Sequence, residues 1–95
     1  FTVRLPSGET KRVRMKVHGT FNVYNALACL ATCYTTYSNS LSLDQIVKSL
    51  ETYPCAKARF EFILYRQPFS VVIDDANTPN GLAKALQCGR DIVRE

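Results

Sequence analysis

The spacing of apolar residues changes at Tyr53-Pro54-Cys55-Ala56-Lys57, and that change limits what this chain can fold into. Pro54 has no amide proton and its ring clashes with the preceding helical turn, so a helix arriving from Leu50 must stop before it. Over residues 22–50, just upstream, apolar residues recur at helical spacing. Downstream come two short apolar runs of the kind that form strands. The five residues read as a linker between two blocks.

In the first block, residues 1–5 and 12–17 read as strands. Pro6-Ser7-Gly8-Glu9 between them suits a type I turn, so a β-hairpin is expected. A first helix begins near Asn22 and ends near Tyr37, with Val23, Leu27, Leu30, Tyr34 and Tyr37 as its core stripe. Ser38-Asn39-Ser40 breaks it. Ser42-Leu43-Asp44-Gln45 is a capping box that opens a second helix running through Leu50, its buried side formed by Ile46, Val47 and Leu50. In the second block, residues 60–65 form one strand and residues 69–73 another, nearly all apolar, as expected for a strand covered on both faces. A third helix starts near Thr78 with Pro79 at its favoured first position, and Leu82, Leu86, Ile92 and Val93 form its packed side. No repeats or low-complexity segments occur. The fold class is α/β.

Composition excludes several functions. At 95 residues the chain is at the small end for one domain, and its 46% hydrophobic share is ordinary. The longest apolar stretch, residues 26–34, is interrupted by Thr32 and is too short to span a bilayer, so no membrane partner is expected. The N-terminus lacks a Met and begins inside a strand, which reads as a fragment of a longer protein. The net charge of +4 is concentrated in Lys11, Arg12, Arg14 and Lys16, which alternate with apolar residues. All but Lys11 share one strand face, without the aromatic or Gly-rich neighbours of a nucleic-acid surface; a solvated hairpin face is expected. Cys29, Cys33, Cys55 and Cys88 form no Cys-x-x-Cys, and His18 has no partner at metal-ligand spacing. They read as small buried thiols of a reduced cytosolic protein.

Three places carry chemistry. Asn22 and Asn25 lie three residues apart at a helix start, so both amides share one side of the N-terminus. A side-chain amide both donates and accepts, as an adenine edge does; Asn22 is equally a good helix cap. Asp74 closes an apolar strand, where open α/β sheets bind ligands, and a carboxylate there can accept from both ribose hydroxyls; a turn or cap role is the alternative. Arg59 sits by the linker, where a guanidinium can grip a phosphate with two hydrogen bonds or form an ion pair with Glu61 or Glu51.

Phe21-Asn22-Val23-Tyr24-Asn25-Ala26-Leu27-Ala28 resembles the helix-opening motif of the Mur ligase superfamily. Ala58-Arg59-Phe60-Glu61 is similar to that family's Gly-Arg-x-Glu. The run from Val71 to Leu82, Val-Val-Ile-Asp-Asp-Ala-Asn-Thr-Pro-Asn-Gly-Leu, resembles Val-Val-Asp-Tyr-Ala-His-Thr-Pro-Asp-Gly-Leu of the member type that adds the third peptide residue to UDP-MurNAc-dipeptide. The resemblance implies that residues 1–56 are the C-terminal part of a central ATP-binding domain. Residues 57–95 then open a Rossmann-like C-terminal domain with a β-β-α order. It implies nucleotide binding by Asn22, Asn25, Arg59, Asp74 and Asn77, with no catalytic residue and no metal ligand in this stretch. The implied parent is an ATP-dependent carboxylate–amine ligase of the cytoplasm. It would use ATP and Mg2+, the metal held outside this chain, and add an amino acid to a UDP-MurNAc-peptide in peptidoglycan synthesis through an acyl phosphate.

The departures are specific. The family's Tyr and His are here Asp75 and Asn77, and the glycine before the arginine is Ala58. No Gly-x-x-x-x-Gly-Lys-[Ser/Thr] loop is present. The chain alone is therefore expected to be inactive. A non-catalytic, degenerate Mur-like interaction module is the second hypothesis.

Overall fold

Pro6 and Gly8 decide the first reversal of the chain. In a computed structural model describing residues 1–94, the Gly8 amide donates to the Leu5 carbonyl at 2.9 Å and the Leu5 amide to Glu9 at 2.8 Å. Gly8 has φ +88 and Ser7 has no positive φ, which suits a type I turn followed by a left-handed glycine. The hairpin pairs β1 (Thr2–Arg4) with β2 (Thr10–Arg12) in antiparallel register, Val3 opposite Lys11. The second strand is shorter and earlier than the expected 12–17. The pairing closes with mutual bonds between Phe1 and Val13, and the next amide, of Arg14, donates to Glu51 Oε1 at 3.1 Å instead. The alternation persists without the ladder: Val13 is fully buried while Arg12, Arg14 and Lys16 are exposed.

Helix α1 (Thr20–Thr36) opens two residues before Asn22, and α2 (Leu43–Thr52) runs two residues past Leu50. The capping box forms as expected: Ser42 Oγ accepts from the Gln45 amide at 3.2 Å, and Gln45 Oε1 accepts from the Ser42 amide at 2.8 Å. The α1 stripe is corrected at both ends: Val23 is half-buried but outside the core cluster. Leu30 is buried and Leu27 and Tyr34 pack against the core, but Tyr37 lies beyond the helix and is exposed, and Ala26 is buried instead. The core joins Val3, Leu5 and Val13 of the hairpin to Leu30 of α1 and Leu43, Ile46 and Val47 of α2. These elements form one compact unit, residues 1–16 with 20–54; residues 17–19 with 55 onward form a second.

In the second unit β3 (Glu61–Ile63) pairs antiparallel with β4 (Val71–Ile73), Phe62 opposite Val72. Both strands are shorter than expected. Past Ile63 the chain turns at Arg66, φ 55, with the Gln67 side chain bonding the Ile63 carbonyl and the Tyr65 amide, each at 2.6 Å. The expectation of a strand covered on both faces is overturned for β4. Val71 and Ile73 are 38% and 46% exposed, because among the described residues the sheet has two strands and no layer over that face.

Helix α3 (Pro79–Arg94) starts with Pro79, and Thr78 caps it, its Oγ1 accepting from the Gly81 amide at 3.1 Å. Its expected packed side is also corrected. Leu82, Leu86 and Val93 are exposed, whereas Cys88 is buried and Gly81, Ala85 and Ile92 are half-buried. Phe60 is buried against the edge of Phe62, whose ring also meets His18 at 4.9 Å.

Candidate functional site

The expected site residues divide between the two units. Asn22 and Asn25 belong to the first. Asn22 is the third residue of α1, half-buried, and so inside the helix instead of capping it. The exposed Asn25 donates its amide Nδ2 to Asn22 Oδ1 at 3.4 Å. Three-residue spacing on a helix makes this contact geometrically natural. The two amides thus form a pair on the first turns of α1, and Asn25 keeps a carbonyl oxygen and a second N–H for another partner.

Arg59, Asp74 and Asn77 belong to the second unit. Arg59 rides on a loop with two left-handed residues on either side of it, Ala58 at φ 55 and Phe60 at φ 54. Each such non-glycine residue costs about 1–2 kcal/mol and persists only where its surroundings hold it. Two carboxylates do so. Glu61 Oε2 accepts the Ala58 amide at 2.9 Å, and Asp74 Oδ2 accepts the Phe60 amide at 2.9 Å. The Asp75 amide donates to the Ala58 carbonyl at 2.8 Å, the Arg59 amide to Ala56 at 3.2 Å, and the Cys55 thiol to the Arg59 carbonyl at 3.0 Å. Burial, then the charges of Glu61 and Asp74, pushes the Cys55 thiol above its ordinary range, which keeps it protonated as a donor.

The guanidinium of Arg59 has no ion pair among the described residues; Glu61, three residues after Ala58, turns Oε2 to the Ala58 amide. Asp74 is half-buried at the end of β4. One oxygen is engaged with Phe60, and Oδ1 carries no hydrogen bond among the described residues. Asn77 is exposed in the segment leading to α3. Among the described residues no group of three or more His, Cys, Asp or Glu could hold a metal ion.

Sequence reading missed the left-handed turns and the part played by Glu61. The signal was present: a position where the resembled motif has glycine is Ala58, three residues before a carboxylate. The thiols are also corrected. All four are free, but only Cys88 is buried; Cys29 is exposed and Cys33 and Cys55 are half-buried. Cys29 sits one turn from Cys33, and burial, then Cys33, raises its pKa. No helix of the described residues is long and apolar enough to cross a membrane.

No protein-family profile matches the chain. Curated relatives do. The chain is 36% identical over 87 residues, 92% of its length, to the UDP-N-acetylmuramoyl-L-alanyl-D-glutamate--2,6-diaminopimelate ligase of Listeria monocytogenes serotype 4b. It is 38% identical over 93 residues, 98% of its length, to the enzyme of the same name from Bacillus velezensis, and 39% over 86 residues, 90% of its length, to that of Lactiplantibacillus plantarum. Over nearly its whole length, then, this two-unit α/β chain is homologous to one segment of the Mur ligases. Its relatives are more particularly those named as 2,6-diaminopimelate ligases. It spans 17–18% of the length of these three relatives.

Proposed function

We propose that this chain carries the adenine and ribose contacts and a phosphate-binding arginine of the nucleotide site of an ATP-dependent carboxylate–amine ligase of peptidoglycan synthesis, acting in the cytoplasm. Asn25, steadied by Asn22, reads the adenine edge. Asp74 accepts the ribose hydroxyls through Oδ1 while Oδ2 holds the loop that bears Arg59. Arg59 contacts phosphate, and Asn77 supplies a further polar contact near the base or sugar. The observation that carries this reading is Arg59: an exposed guanidinium without an ion pair among the described residues, on a backbone locked by two carboxylates. Amides, a half-buried carboxylate and a guanidinium are a donor and acceptor set that fits a nucleotide.

In the parent reaction a carboxylate oxygen of the UDP-MurNAc-peptide takes the terminal phosphoryl group of ATP, releasing ADP. The amine of an amino acid then displaces phosphate, losing a proton as the amide forms. ATP with Mg2+ would supply the activating phosphoryl group, its metal ligands lying outside this chain. This chain's residues orient the nucleotide and neutralise developing charge. Arg59→Ala in the full-length protein tests the reading. Turnover is expected to fall about 100-fold while ATP binding changes only a few-fold, because a contact completed in the transition state acts on kcat. Equal losses in binding and turnover, or no loss, would overturn it.

Asp75 and Asn77 favour a second reading, a degenerate scaffold, because an aromatic and an imidazole of the resembled motif are missing. A full-length protein that neither hydrolyses ATP nor joins the amino acid would support it.

A further inference from the structure

Glu61 has no place in the nucleotide contacts above, yet it is committed within the loop that bears Arg59. We propose that Glu61 is the positioning residue for Arg59, acting through the Ala58 amide it holds at 2.9 Å. The inference rests on the reading of Arg59 as the phosphate contact.

Ala58 and Phe60 both occupy the left-handed region, and each has its amide on a carboxylate. The two clamps are not equivalent. Asp74 faces two ways, toward the Phe60 amide and, in the proposed site, toward ribose, so its loss would blur loop and ligand together. Glu61 touches only the loop. The peptide of Arg59 is gripped on its other sides by the Ala56 carbonyl and the Cys55 thiol. With those held, the φ of Ala58 sets the direction in which Arg59 leaves the backbone. An alanine stays in the left-handed region only where its surroundings hold it, here Asp75 on its carbonyl and Glu61 on its amide; a glycine stays there without help. Glu61 is therefore needed because residue 58 is alanine.

That dependence provides a test that a purely structural carboxylate would fail. Four variants of the full-length protein are compared by thermal melt and by steady-state kinetics against ATP. Glu61→Ala should lower kcat by about 10- to 100-fold while KM for ATP stays within about twofold, since a small misplacement of a catalytic contact has effects of that order. Glu61→Gln retains an acceptor oxygen and should keep turnover within about threefold of the parent. Ala58→Gly combined with Glu61→Ala should restore most of the lost turnover, because glycine holds the turn unaided. Arg59→Ala is the reference. Slow Arg59→Ala with Glu61→Ala at the parent's speed overturns the positioning role alone. Arg59→Ala at the parent's speed overturns the reading of Arg59 itself. A Glu61→Gln variant as slow as Glu61→Ala, or no rescue by glycine, also overturns the proposal. Losses that merely track the melting temperature across the set do the same.

Discussion

The two units are built from similar amounts of apolar sequence and use it in opposite ways. The first closes a core from its own elements: hairpin, α1 and α2 each place side chains in one cluster around the fully buried Val13. Among the described residues of the second, Phe60 and Cys88 are the buried apolar ones, while Leu64, Tyr65, Phe69, Leu82, Leu86 and Val93 stand exposed. What holds the second unit's loop is polar: carboxylates and a thiol on backbone groups around Arg59. An apolar pattern is stabilising only when another layer covers it, whereas a hydrogen-bonded turn is stabilised locally. The first unit is organised for stability, and the second presents a charged side chain from a strained backbone.

Core truncation gives the largest contrast. Val13→Ala should destabilise the first unit by about 2–3 kcal/mol, from lost transfer energy plus the cavity left behind. Leu86→Ala, at a position 60% exposed, should stay within about 0.5 kcal/mol in denaturant melts of the chain. A large loss at Leu86 would break the comparison, since it would mean the second unit has a core of its own there.

The cap of α2 comes next. Ser42→Ala removes an acceptor for the Gln45 amide and should cost about 1 kcal/mol, read in the same melts. Asn25→Ala should be close to neutral for stability, because asparagine is a poor helix former and its bond to Asn22 is long. In the full-length protein the same variant should raise the ATP concentration needed for half-maximal turnover. A melting loss without that rise would make Asn25 structural.

The smallest effect is electrostatic. Lys11 meets Asp44 at 2.6 Å, and the hydrogen bond and charge of Asp44 raise the Lys11 pKa. A raised folded-state pKa contributes stability that is fully present below the ordinary value of 10.5 and is lost as pH rises through the folded value. Asp44→Asn should therefore narrow the difference in melting temperature between neutral and strongly alkaline pH, with a shift that fades in high salt. An unchanged alkaline profile would mean the pair contributes nothing.

Short-range chemistry is legible in the order of residues alone. Ser42 and Gln45 form the capping box their spacing announces, Pro79 begins α3, and Pro6 with Gly8 turns the hairpin. Each depends on residues three or four apart, so neighbours in sequence carry the information. The helical stripes follow in part for the same reason: Leu30, Ile46 and Val47 are in the core and Leu27, Tyr34 and Leu50 pack on it, but Val23 and Tyr37 do not, and the contribution of Val3, Leu5, Val13 and Leu43 was not legible in the pattern.

Tertiary structure decided the rest. Whether β4 and the leucine stripe of α3 are covered depends on which layers surround them, and no pattern within a strand or helix encodes that. The left-handed Ala58 and Phe60 likewise need partners up to fourteen residues away, the distance from Phe60 to Asp74. Sequence by itself determined the order of elements and the helix starts at Ser42 and Thr78. The fold determined that Glu61 holds a backbone amide instead of Arg59. A carboxylate three residues from a strained amide satisfies it at short range, while the Arg59 guanidinium carries no ion pair among the described residues.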